Sequence, residues 1–146
     1  MLLTGCPEKR AVWVIPGSTA EDLVFATATE RNGSNIRPWR SLVVERCAQF
    51  WLPAVGTPDR HWELNRVYVD SSEGGPAVAG RIRYGHVPDG YRERRPAQAL
   101  LPGCYVAAIG SNSVSFRLDS TTRIQELSPA EAQRLVRANA AHDSAR

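Results

Sequence analysis

GRIRYGHVPDGYRERRPAQALLPGCYVAAIG, residues 80–110, decides how the rest of the chain is read. In its first part Ile82 and Tyr84 alternate with Arg81 and Arg83, the period of two expected of a half-buried strand. A crossing rich in Pro and Gly follows over residues 85–102, and the apolar run of residues 104–109 forms the next strand. Two strands of an antiparallel sandwich account for this layout, with the crossing as their connection.

Working backwards, residues 62–69 (WELNRVYV) alternate apart from a slip at Arg66, which suggests a bulge there. Residues 39–47 (WRSLVVERC) form a third strand that delivers Cys47 to the core. Asn32-Gly33 is the strongest turn signal, because both residues tolerate the positive φ of a tight hairpin turn. Residues 23–29 (LVFATAT) and 11–15 (AVWVI) are the first two strands, separated by Pro16-Gly17 and a turn at Ser18–Glu21. The connections at residues 48–61 and 70–76 are loops by composition, with Phe50, Trp51 and Leu52 packing inward.

Working forwards, Gly110–Ser113 turns and Val114, Phe116 and Leu118 place one apolar face on a returning strand. Residues 121–127 supply one more strand or extend it. Ser128-Pro129-Ala130-Glu131 then opens a helix: Ser as cap, Pro at the first position and Glu completing the capping box. Ala132, Leu135, Val136 and Ala140 give that helix a narrow apolar stripe, and the tail beyond Ala141 is expected to fray. We therefore expect a tether at residues 1–10, a β-domain at 11–127, and a helix with its tail at 128–146.

The 146 residues suffice for one core without metals, and 42% hydrophobic with 23% charged residues is the composition of a folded domain. No apolar run approaches the roughly 18 residues of a membrane-spanning helix. The net charge is +3, and Lys9 is the only lysine among 18 cations. So marked an arginine bias points to genome composition rather than to a ligand, and a charge this modest is usually a solvated surface.

Leu3-Thr4-Gly5-Cys6 resembles the lipobox of bacterial lipoproteins, in which the cysteine is lipidated. That resemblance implies a lipid on Cys6, a membrane anchor and a location in the cell envelope, facing the periplasm or the exterior. Met1-Leu2-Leu3 is shorter than the charged and apolar regions of a signal peptide, so export requires those regions upstream of Met1. In an oxidising compartment Cys47 and Cys104 can form a disulfide bridging two sheets, whereas in the cytosol they would be buried free thiols.

Leu101-Pro102-Gly103-Cys104-Tyr105-Val106 resembles the Leu-Pro-Gly entry to a late strand of fibronectin type III domains, and Cys47, Trp62 and Cys104 resemble the Cys…Trp…Cys layout of immunoglobulin domains. In this chain Cys104 precedes the tyrosine, which departs from the immunoglobulin order. Residues 80–118 also resemble the C-terminal half of small bacterial lipoproteins. These likenesses imply a mainly β fold, an immunoglobulin-like antiparallel β-sandwich of seven or eight strands with a short C-terminal α-helix, and no catalytic residue or cofactor.

The candidate binding residues are Arg81, Arg83, His86, Tyr91, Arg92, Arg94 and Arg95, since arginines interleaved with aromatics can grip acidic groups by bidentate and stacking contacts. Their bland alternative is an arginine-rich strand face, which we favour. The partners implied are the membrane through its lipid anchor and an envelope protein or acidic polymer. Nucleic acid is the disfavoured partner and belongs to a rival picture, a soluble arginine-rich module. A third picture is an enzyme built on Asp59, His61 and Glu63, but His61, His86 and His142 lie in separate segments without zinc-ligand spacing. No nucleophile elbow, phosphate loop or dinucleotide fingerprint occurs.

Overall fold

A computed structural model describes residues 12–27, 39–47, 60–67 and 80–144. Residues 1–10 with Cys6, the Asn32-Gly33 turn, Phe50–Leu52, Asp59, the loop at 70–76, and the side chains of Ala140 and His142 lie outside this description. Among the described residues there are nine strands: β1 (Val12–Val14), β2 (Val24–Thr27), β3 (Ser41–Arg46), β4 (Trp62–Arg66), β5 (Arg81–Arg83), β6 (Tyr91–Arg95), β7 (Gly103–Ile109), β8 (Asn112–Leu118) and β9 (Ile124–Leu127). Helix α1 (Pro129–Ser144) follows, continuing past Ala141 where fraying was expected.

The fold is mainly β, with two antiparallel sheets and one C-terminal helix. The small sheet runs β1-β2-β5 and the large one β6-β4-β3-β7-β8-β9. Thus β2 and β3, expected to flank a hairpin turn, belong to different sheets and are not partners. The strand missing from the sequence reading is β6, which lies inside the crossing between residues 85 and 102. YRERR offers one apolar side chain, too few to show a period of two; an edge strand paired on one side needs no more.

Period-two burial aims both sheets at one core. Val12, Val14, Phe25 and Ile82 of the small sheet meet Leu42, Val44, Trp62, Tyr105 and Phe116 of the large one. The rings of Phe25 and Phe116 lie 5.8 Å apart and tilted across this interface. Each such fully buried apolar side chain stabilises the fold by roughly 1.5–3 kcal/mol relative to exposure. At the seam between the sheets, the Val14 amide donates to Glu126 Oε1 at 3.0 Å, so a β9 carboxylate occupies a donor of the edge strand β1. Close by, the Ala20 amide donates to the Thr122 carbonyl and the Ile124 amide to that of Ser18.

The outer face of the large sheet has its own, smaller core. Val106 and Leu127 point away from the first cluster and are covered by Ala132 of α1, with Leu135 and Val136 partly buried beside them. The helix starts as its residues require: the Glu131 amide donates to Ser128 Oγ at 3.2 Å and the Ser128 amide to Glu131 Oε1 at 3.1 Å.

Cys47 and Cys104 sit in this outer cluster at disulfide-bonding distance, with Cα atoms 5.4 Å apart. Since Arg46 pairs with Tyr105, the two cysteines face each other at the next position of the β3–β7 ladder. The bridge therefore joins neighbouring strands of one sheet, beneath α1, and does not link the two sheets as expected. Parity explains the difference: Leu42 and Val44 face the inner core, which sends the odd-numbered Cys47 outward.

Candidate functional site

β4 and its edge neighbour β6 carry the chain's densest run of arginines. Their ladder pairs Asn65 with Arg92 and Arg66 with Tyr91, then shifts register between Glu63 and Leu64. Glu93 opposes Leu64 and Arg95 opposes Glu63, so Arg94 is the extra residue of a β-bulge. The bulge expected from the slip at Arg66 thus lies elsewhere. It has a chemical consequence: an unbroken period of two would turn Arg95 to the same face as Tyr91 and Glu93, but the added residue brings it opposite Glu63. Its Nε stands 3.9 Å from Glu63 Oε2.

Glu63 also belongs to a half-buried ion cluster. Arg60 bridges two carboxylates, donating from Nη1 to Glu63 Oε1 at 2.8 Å and forming an ion pair with Glu45, whose Oε1 stands 2.9 Å from Nε. Both carboxylates are largely buried, and the bridging guanidinium places a counter-charge between them.

Towards the other end of the same strands, Ser41 pairs with Asn65 and Asn65 with Arg92, giving one polar row across β3, β4 and β6. Two adjoining cavities open along this row. One, of about 460 Å³, is lined by Asn65, Arg66, Val67, Arg92, Glu93 and Arg94. The other, of about 350 Å³, is lined by Arg40, Ser41, Asn65 and Arg66. They adjoin at Asn65 and Arg66 as one groove, whose described lining holds four arginines and one carboxylate. That carboxylate, Glu93, accepts a hydrogen bond from Trp62 Nε1 at 2.9 Å.

The groove rests on a rigid base. Tyr91 stacks on Trp39 with ring centroids 3.9 Å apart and donates its hydroxyl to the Trp39 carbonyl at 2.8 Å. Burial pushes the Tyr91 hydroxyl above its ordinary pKa, while the Arg66 cation acts in the opposite direction. The Arg66 amide donates to the Arg40 carbonyl at 2.9 Å, and the Val67 amide to that of Gly90 at 2.9 Å, extending the ladder beneath the arginines.

No family model, curated protein or solved structure matches this chain.

Of the seven expected binding residues, the structure brings Arg92 and Arg94 together at the groove. Tyr91 is buried beneath and presents no ring to a ligand. Arg95 is turned towards Glu63. Arg81 and Arg83 lie on β5 of the small sheet, where Arg83 Nε pairs with Asp22 Oδ1 at 3.1 Å; His86 is exposed in the turn that follows. Arg40, Ser41, Asn65 and Arg66 were not anticipated, because only the strand register assembles them.

Of the enzyme picture's residues, His61 and Glu63 are described and have separate surroundings. The His61 ring is buried edge-on to Tyr105 at 5.2 Å, and Glu63 is held by Arg60. Among the described residues no group of three or more His, Cys, Asp or Glu could hold a metal ion. No helix there is long and apolar enough to cross a membrane.

Proposed function

We propose that this chain is a non-catalytic, lipid-anchored cell-envelope protein whose immunoglobulin-like β-sandwich serves structural or binding purposes. Cys6 carries the lipid and the β-domain faces the periplasm or exterior. The observation that carries the proposal is the approach of Cys47 and Cys104 to bonding distance, since such a pair persists as a disulfide in an oxidising compartment.

The strand order supports the immunoglobulin-like reading. β1-β2-β5 facing β4-β3-β7-β8 has the neighbour relations of strands A-B-E and C′-C-F-G. Tyr105, near the start of β7, returns its hydroxyl to the backbone of Leu101 in the manner of a tyrosine corner. The bridge differs from the immunoglobulin one, which spans two sheets, and β6 and β9 extend the large sheet at both edges.

Intact-mass spectrometry of protein isolated from its native host tests the proposal. We expect an added diacyl or triacyl mass on Cys6 together with the two-hydrogen deficit of the Cys47–Cys104 bond. An unmodified Cys6 and two free thiols in that material would overturn it.

A further inference from the structure

The geometry points to the groove formed by Arg40, Arg66, Arg92 and Arg94 around the Ser41–Asn65 row as a binding site for phosphate-bearing ligands, a role that rests on the binding function proposed above.

The first ground is charge. Arg60, Arg83 and Arg95 each stand beside a carboxylate, whereas among the described residues none of the four groove arginines forms an ion pair. Glu93, the one acid among the described lining residues, accepts from the neutral Trp62 indole and offsets one of the four cations. Four arginines lining one groove with one described carboxylate make it electropositive, which favours an anion of more than one charge. A phosphomonoester or two neighbouring phosphodiesters fit this requirement better than a lone carboxylate.

Donor geometry is the second ground. Guanidinium forks bind phosphate oxygens bidentately, and here the arginines belong to β4, to β6 and to the residue preceding β3, so they border the groove on more than one side. Ser41 adds a neutral donor between them. With its amide oxygen turned to Arg94 Nη1 at 3.3 Å, Asn65 also holds that guanidinium beside the groove.

Preorganisation is the third. Arg66, Arg92 and Arg94 stand on the paired strands β4 and β6, beside the stacked Trp39 and Tyr91 rings, and the bulge sets Arg94 out of the regular alternation. Less backbone freedom is lost on binding than at a flexible loop, which favours affinity.

The site is tested with the full chain, ¹⁵N-labelled, by titrating inorganic pyrophosphate at constant ionic strength and following amide chemical shifts. Saturable shifts are expected at residues 40–41, 65–67 and 91–94. The pair Arg66→Gln with Arg92→Gln should weaken binding by roughly a hundredfold, about tenfold for each charge-assisted contact. The control pair Arg81→Gln with Arg117→Gln removes the same charge elsewhere and should leave binding unchanged. Retention of the dispersed spectrum shows that each variant is folded.

Equal weakening by the two pairs, shifts spread over every arginine-bearing segment, or single-stranded DNA binding without a pyrophosphate effect at the groove would each overturn the assignment. Vesicles of phosphatidylcholine with and without phosphatidylglycerol then separate the sources. Recruitment by the anionic vesicles, reversed by pyrophosphate, identifies a lipid headgroup; pyrophosphate binding without recruitment identifies a free or polymer-borne phosphate. Absence of a lipid on Cys6 would defeat the envelope reading and leave the groove titration unaffected.

Discussion

The hydroxyl of Tyr105 donates to the Leu101 carbonyl at 2.7 Å and accepts from the Leu101 amide at 3.1 Å, so one side chain satisfies both backbone groups of a residue four positions upstream. Tyr105 itself is almost fully buried. Tyr105→Phe keeps the ring but leaves a donor and an acceptor without their partner. We expect a loss of about 1–3 kcal/mol, read as a lower urea midpoint at unchanged slope. A midpoint equal to that of the native protein would show that water replaces both bonds at no cost.

The Cys47–Cys104 pair closes a loop with a sequence separation of 57. In the chain-entropy description the covalent bond is worth roughly 4 kcal/mol against the unfolded state. Adding reductant should lower the thermal midpoint of the native protein and leave the Cys47→Ala, Cys104→Ala double variant where it was. An equal response from both proteins would mean that the cysteines are not bonded.

Two exposed carboxylates link stability to acid. Asp119 accepts from the Thr121 hydroxyl at 2.7 Å and from the amides of Thr121 and Arg123, which holds its pKa below the ordinary 3.8. Bonds to the Ser128 amide, and to its side chain, hold Glu131 below the ordinary 4.5. Both pKa values are lower in the folded state, so the contribution is fully present above the ordinary values and is lost as pH falls through the lowered ones. Urea midpoints from neutral pH down to pH 2 should therefore show native protein and the Asp119→Ala, Glu131→Ala variant converging in acid, about pH 4 and below. Parallel curves would remove these two groups from the acid response.

Thr122 is the one residue other than glycine with positive φ among the described residues, at 67°. A β-branched side chain is poorly suited to that region, at a cost of roughly 1–2 kcal/mol. Glycine removes the clash but loses more freedom on folding, about 0.5–1 kcal/mol. Thr122→Gly should thus stabilise the fold by about 0.5–1 kcal/mol, seen as a higher thermal midpoint. The Ala20 bond to the Thr122 carbonyl is a backbone contact and survives the change. A lower midpoint would mean that the threonine side chain contributes more than it strains.

Features set by neighbouring residues were legible in the sequence. Ile82 between two exposed arginines, the Val114-Phe116-Leu118 face and the Ser128–Glu131 capping box all appear in the structure as their spacing implies. β7 was legible as a strand but not in its orientation. CYVAAI is apolar almost throughout because the strand is covered by the small sheet on one side and by α1 on the other, so composition could not say which face Cys104 takes. The groove was illegible for a related reason. Ser41, Asn65 and Arg92 are far apart in the chain and meet only through the β6-β4-β3 order, which local periodicity does not encode.

The extra residue at Arg94 also shapes β6, the outermost of the described strands at its edge of the large sheet. A regular outer strand offers an incoming chain an evenly spaced row of amides and carbonyls. β6 instead presents a ladder thrown out of step midway, with charged side chains at four of its five positions. A second molecule attempting to add a strand there would lose its register at the bulge and confront several guanidinium groups. The deformity that gathers cations for a ligand would then also keep this protein from polymerising through its own sheet.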